Sequence, residues 1–381
     1  MVSLNSNFDL GPLEIFWQDR YEWLRQSGYT LRPRYKPNWV PSWQGTKKSP
    51  FSCEDAWRSI RPVVMDATRE SDKETVLLKR IDRSVHPYEI SICQYFSTGA
   101  ISADPRNHCC PIYEVLQDPM DVNTSIIVMP HLRRYIDPDF ETIGEAVEYF
   151  RQLFEGLQFV HEHRVAHRDV MALNVMLDPA PLHSGIPHPI KRGRSYDVKR
   201  RVRRFSRTEY PVRYYYIDFG ISPRYAPDDA APLEDIIVGG DKSVPEFEGT
   251  DEPQNPFWTD IYYLGNLIRT GFLEVRICPP RAAAHGFEFM EPLIDNMVQR
   301  DPSTRPTVIE ACLRFEEPVS VNCSRYAVCS IPRSFCESCA HAPRLRIPSP
   351  GTSVLFLHKH NLAHWYELHF AVLCRHLMIV M

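Results

Sequence analysis

The spacing of apolar positions changes near residue 140. Upstream, apolar runs are short. RPVVMDATR and ETVLLKRI, separated by a polar SDK stretch, predict a hairpin, and CPIYEVL and SIIVMP predict further strands. EISICQYFS is too short to assign. Downstream, Ile143, Val147, Phe150, Phe154, Leu157 and Val160 share one helical face across 141–163. Helical patterning then dominates to about residue 316. Strands first and helices second predict an α+β fold, not alternating βαβ units.

Two flanking regions read differently. In residues 1–54, rich in aromatics and proline, Leu13, Phe16, Trp17, Tyr21 and Leu24 recur at helical spacing, with Gly28 placed to end that helix. The prolines of YTLRPRYKPNWVPSW then predict extended chain, so an arm docked on the main domain is expected. Beyond 316 the composition shifts to Cys, His, Pro and Ser without a period, and 317–381 is expected to be a poorly ordered tail. Cys336 and Cys339 form one CxxC, whereas strong zinc sites show two clean pairs. PPRAAAHGF (279–287) interrupts the helical half as an apparent insertion.

Length and charge narrow the class. The chain has 381 residues and a formal net charge of −4, which argues against a globally basic nucleic-acid binder. The first residues lack a basic stretch followed by an apolar run, and no apolar run reaches ~18 residues, so neither export nor a membrane partner is expected. Eleven cysteines are an odd number, which without export suits reduced thiols and an intracellular place, cytoplasmic or nuclear.

The candidate chemistry lies in three short segments. In VAHRDVMALNVML, Asp169 precedes Asn174 by five residues and a strand-like run follows: a carboxylate able to accept a hydroxyl proton, then an amide able to bind a metal. In YYYIDFGIS, Asp218 ends an apolar run where a carboxylate suits Mg2+, and Gly220 frees the backbone to turn. In TVLLKR, Lys79 ends a strand, and Glu89 is the only acidic residue between Asp82 and Asp104. Each segment alone is weak evidence.

Their order carries the argument: Lys79, Glu89, the strand SIIVMP, a long helix, HRD with Asn174 following, a strand, then DFG. In this order the chain resembles the eukaryotic protein kinase superfamily. VPEF (244–247) is similar to that family's A-P-E segment. TDIYYLGNLI, with Asp260 and Gly265, resembles its buried central helix, and DPSTRP places Arg305 to pair with Glu246. The aromatic arm, the long insert before DFG and the short activation segment resemble basidiomycete fungal protein-kinase-like proteins. The resemblance covers about 55–316. It implies a bilobal protein-kinase-like fold, with a strand-rich lobe over 55–130 and a helical lobe over 131–316.

The resemblance also implies roles. Lys79 would hold the ATP phosphates and Glu89 would orient it. Asp169, preceded by Arg168, would take the substrate hydroxyl proton. Asn174 and Asp218 would bind Mg2+, and Met129 and Pro130 would lie beside adenine. The implied activity is ATP- and Mg2+-dependent transfer to a protein hydroxyl, serine or threonine ahead of tyrosine. Three departures keep a pseudokinase scaffold as the alternative. No glycine occurs across 46–98, where a phosphate-gripping loop is expected. Met171 stands where serine/threonine kinases carry lysine, and Glu89 follows Lys79 by only ten residues. The insert 179–212 is strongly basic around 191–207, with Arg200, Arg201, Arg203 and Arg204. It reads as a solvated loop, a docking site for an acidic partner, or an import signal. The segment after DFG is acidic, and Arg168 is expected to pair with a fixed carboxylate there or to leave those charges to solvent.

Overall fold

The structure, a computed structural model, describes residues 10–59, 61, 63–274 and 286–326. Helices α1 (Pro12–Asp19) and α2 (Tyr21–Gln26) come first. Gly28, at φ +91°, turns the chain into β1 (Tyr29–Leu31), a conformation that favours glycine. Strands β2 (Val64–Arg69) and β3 (Thr75–Asp82) follow, then helices α3 (Glu89–Phe96) and α4 (Gly99–Ala103), then β4 (Glu114–Gln117) and β5 (Thr124–Pro130). The strands form one antiparallel sheet in the order β1-β2-β3-β5-β4.

Strand alternation gives this sheet two different faces. On one, Met65, Ala67, Val76, Leu78, Ile126 and Val128 pack against Trp17, Tyr21 and Leu24 of α1 and α2. Burying each large apolar side chain there contributes about 1.5–3 kcal/mol. The opposite face carries Leu77 and Lys79. Packing therefore does not break at residue 54. The expected arm supplies an edge strand and the sheet's helical cover. Buried ion pairs tie it down, with Arg20 to Asp118 at 2.7 Å, Arg32 to Asp66 at 2.8 Å and Arg34 to Glu14 at 3.1 Å.

The second half is built on α5 (Ile143–Glu162), started by Thr142, whose side chain accepts from the Glu145 N–H at 3.1 Å. A small antiparallel sheet joins β6 (Arg133–Arg134), β7 (Val175–Leu177) and β8 (Tyr214–Tyr216). Helices α6 (Pro256–Ile268), α7 (Glu291–Met297) and α8 (Val308–Tyr326) complete it. α6 is buried on nearly every side, so its polar members must find partners inside the protein. An antiparallel sheet followed by a helical half is the α+β arrangement that the periodicity predicts.

Several details differ from the sequence reading. EISICQYF is helix α3, because Ile92, Cys93 and Phe96 fall on one buried helical face. Helix does not dominate 178–255, which is mostly coil with short turns. The insert 179–212 is folded: Leu182 and His188 are buried, and isolated bridges join His183 to Arg204, Pro187 to Ser195 and Arg194 to Arg201. Leu182, His183 and His188 pack inward and Arg207 is buried against the Tyr135 and Pro138 carbonyls, while Arg200, Arg201, Arg203 and Arg204 stay exposed. α8 continues past 316 to Tyr326, with Val319 buried. Cys336, Cys339 and the stretch 279–285 lie outside the described residues. Among those described, no helix is long and apolar enough to cross a membrane.

Candidate functional site

Lys79 projects from the uncovered face of β3 and meets two carboxylates. Its Nζ pairs with Glu89 Oε1, at the start of α3, and with Asp218 Oδ1 at 2.9 Å. The short interval from Lys79 to Glu89 suffices because β3 ends at Asp82. There the Asp82 carbonyl accepts from the His86 N–H at 2.8 Å and its carboxylate from the Ser84 N–H at 2.9 Å, which turns the chain directly into α3. Burial alone would favour neutral lysine, yet the charges of Glu89 and Asp218 outweigh it and hold the ammonium well above its ordinary pKa. Burial would likewise raise Asp218, but Lys79 prevails and pulls it below the usual aspartate range.

The segment between α5 and β7 is held from below by α6. Asp260, fully buried, accepts the backbone N–H of His167 at 2.7 Å, that of Arg168 at 2.7 Å, and His161 Nε2 at 2.9 Å. These bonds help fix Arg168 at φ +66°, a left-handed conformation that costs a non-glycine residue roughly 1 kcal/mol or more. Asn174 donates its Nδ2 protons to the Asp169 carbonyl at 3.0 Å and to Oδ2 at 2.7 Å. Asp169 Oδ1 is buried without a hydrogen-bond partner among the described residues. Burial, with the charges of Asp218 and Asp260, raises the Asp169 pKa against the opposing effects of His167 and Asn174.

Short bonds connect Asp169 and Asn174 to the Asp218 strand end. The Ile217 N–H donates to the Asn174 carbonyl at 3.0 Å. His167 Nε2 lies 3.1 Å from the Ile217 carbonyl, while its Nδ1 accepts from the Asp169 N–H at 3.2 Å. This assigns the ring proton to Nε2. Phe219 packs at a tilt between Phe96 of α3, at 5.8 Å, and His167, at 4.8 Å, so α3 and the Asp169 loop share one aromatic support.

The segment after Asp218 folds over this centre. Arg168 pairs with Glu234 at 3.2 Å and donates to the carbonyls of Ile221 at 3.1 Å and Asp235 at 2.5 Å. Glu234 is itself held by reciprocal backbone bonds to Gln254, both 2.9 Å. Of the two readings of Arg168, the fixed carboxylate is therefore the one observed. Gly240, at φ +74°, sits against Asp169: a Cβ there would stand 2.7 Å from Oδ1. Glu246 and Arg305 form a buried two-bond pair at 2.7 and 2.6 Å, the pairing that the resemblance implies.

Met129 and Pro130 are not part of this ionic group. They lie at the end of β5, with Met129 buried beside Ile81, Cys110 and Ile127. Across the sheet, Met129 is opposite Leu77 and Leu77 is opposite Asp66, so all three share the Lys79 face. Asp66 is buried and paired with Arg32 at 2.8 Å. The Tyr196 hydroxyl from the insert bonds Thr68 beside it, and burial lowers the nearby His131 to about 4.

Sequence reasoning missed the Asp66 cluster and Glu234 as the partner of Arg168. A signal for Asp66 was present, as a lone carboxylate breaking the apolar run of β2. No local signal separates Glu234 from its acidic neighbours. Among the described residues no three His, Cys, Asp or Glu side chains gather as a metal cage. Asp218 and Asn174 offer oxygen ligands of the kind hard cations take, and such a pair needs phosphate and water to complete a shell. The chain matches no known family model and no curated protein.

Proposed function

We propose that this chain is a protein-kinase-type phosphotransferase that moves the γ-phosphoryl group of ATP to a protein hydroxyl, serine or threonine ahead of tyrosine. In this reading β1–β5 with α1–α4 form one lobe, α5–α8 form the other, and the nucleotide lies between them. The observation that carries it is the bonded unit of Asp169, Asn174 and Asp218, with Lys79 paired to Asp218 at 2.9 Å and also to Glu89.

The donor set fits Mg2+·ATP. An unpartnered Asp169 Oδ1 and the oxygen ends of Asn174 and Asp218 suit a hydroxyl proton and a hard cation. When bound, Mg2+·ATP supplies the phosphoryl group and neutralises the charge developing on it. Asp218 and Asn174 would hold the cation, and Lys79, kept charged and aimed by Glu89, would bind phosphate oxygens. Asp169 orients the substrate hydroxyl and accepts its proton at Oδ1. Asn174 holds Oδ2 still, leaving Oδ1, buried beside Gly240, as the oxygen without a bond among the described residues. Positioning and charge neutralisation are the main contributions expected in such transfer.

One observation favours a nucleotide-free scaffold instead. The sheet face beside Met129, where a base would lie, carries the buried Arg32–Asp66 pair, with Tyr196 and His131 nearby, alongside its apolar residues Leu77 and Ile127. In addition, the β1–β2 connection, residues 32–63, has Gly45 as its only glycine. Thermal denaturation with Mg2+·ATP and a radiolabelled γ-phosphate assay separate the readings. The transferase reading expects a raised Tm and transfer that D218A abolishes. A Tm indifferent to Mg2+·ATP, with no transfer by wild type, would leave the scaffold.

A further inference from the structure

Three arginines gather around one carboxylate where the insert meets the chain leaving β5, and two more lie close enough for their charges to be felt. Asp137 Oδ2 lies 3.3 Å from Arg133 Nη1 and 2.9 Å from Arg192 Nη1, and its Oδ1 lies 2.8 Å from Arg204 Nη2. Arg134, next along β6, projects from the other face of that strand, and its charge and that of Arg192 act on Arg61 in the β1–β2 connection. Among the described residues Asp137 is the one carboxylate ion-paired with any of the five. Arg133 is 5% exposed, and its Nη2 is buried without a hydrogen-bond partner, as is Arg134 Nε. Buried guanidinium N–H groups left unpaired are costly. Burial, then the charges of Arg134 and Arg192, lowers Arg61, and burial with Arg192 and Arg204 lowers Arg133 against Asp137.

We propose that Arg133, Arg192 and Arg204, gathered on Asp137 with Arg61 and Arg134 close by, form a binding site for a ligand carrying clustered phosphoryl groups. The chemistry follows from charge and shape. One carboxylate faces three guanidiniums and two further arginines lie close by, so a ligand must bring several negative charges to balance them. Planar guanidinium forks match tetrahedral phosphate oxygens in pairs of bonds. Three of the arginines already converge on one point, held there by Asp137, which lowers the cost of ordering them. Convergence on a point favours a compact anion over a nucleic-acid backbone, which needs cations spaced along a stripe. The proposal is independent of the crevice reading, because none of the five contacts Lys79, Asp169 or Asp218 among the described ion pairs.

The test is calorimetric titration of the full chain, without Mg2+ and at constant ionic strength, using pyrophosphate and inositol hexakisphosphate. A peptide bearing two adjacent phosphoserines and its unphosphorylated twin form the other arm. We expect both small anions to bind, and R192A/R204A to weaken them roughly a hundredfold, about tenfold for each arginine. These rim residues are half-exposed, so the double variant should keep its circular dichroism and ligand-free Tm. D137N should tighten binding by removing the competing carboxylate. A doubly phosphorylated peptide binding more tightly than pyrophosphate would identify a phosphoprotein as the source, and the reverse a small metabolite. Absent binding, affinity unchanged in R192A/R204A, equal affinity for sulfate, or loss in K79A instead would each overturn the proposal.

Discussion

Replacing Asp260 with asparagine tests how α6 holds the Asp169 loop. In the wild type one carboxylate accepts three hydrogen bonds in a fully buried setting, two from the adjacent backbone N–H groups of His167 and Arg168. Asparagine keeps the shape but has only one acceptor oxygen. If that oxygen replaces Oδ2, it still serves His167 and His161. The amide NH2 then faces the Arg168 N–H, donor against donor. Losing one bond to a charged acceptor costs about 1.5–3 kcal/mol, and the buried donor left unpaired costs about 1–3 kcal/mol more. The sum, roughly 2.5–6 kcal/mol, is a large share of the ~5–15 kcal/mol that stabilises an ordinary domain. Urea unfolding followed by circular dichroism measures the loss. Native-state hydrogen exchange adds a local readout: the His167 and Arg168 amides should lose more protection than the core of α5. A change under about 1 kcal/mol, with both amides still protected, would refute the claim that Asp260 holds this loop.

Four further outcomes follow from the same geometry. E234A removes the carboxylate paired with Arg168, and should reduce transfer while leaving Tm nearly unchanged; phosphatase-treated wild type should retain full activity, and dependence on added phosphate would contradict the pairing. G240A should lower stability by about 1 kcal/mol or more, since alanine disfavours this positive φ and its Cβ would press on Asp169; unchanged unfolding in urea would contradict that contact. D169N should abolish transfer yet raise stability by about 0.5–2 kcal/mol at neutral pH, because it removes a buried carboxylate with an unpartnered oxygen; a lowered urea midpoint would contradict this. The raised Asp169 pKa also sets a sign. Relative to the unfolded chain it favours the folded state below the ordinary carboxylate value of about 4, and that contribution is lost as pH rises through the folded pKa. The acidic limb of kcat/KM should therefore fall above pH ~4, and a limb at or below that value would show an unperturbed carboxylate.

Much of the architecture is written in short-range pattern. Alternation in VVMDATR and TVLLKRID matches the two strands observed, and the spacing from Ile143 to Val160 matches α5, because one buried face imposes a period of two or of about 3.6. The order of Lys79, Glu89, Asp169, Asn174 and Asp218 was also legible, as was the matching of Glu246 to Arg305. EISICQYF was not, since eight residues are too few to separate the periods. The first residues were legible as a helix but not as a sheet cover, because nothing local says which apolar surface they bury.

By itself, then, the amino-acid order determined which segments could be strand or helix and which ionisable groups were candidates for chemistry. The folded chain alone decided partners. Lys79 meets Asp218 from 139 positions away, Arg168 takes Glu234 from among several acidic neighbours, and three arginines share Asp137. Periodicity is a local consequence of backbone geometry, repeated every few residues. Charge pairing across the fold depends on where distant backbones stop and turn, and on how much water each pair loses.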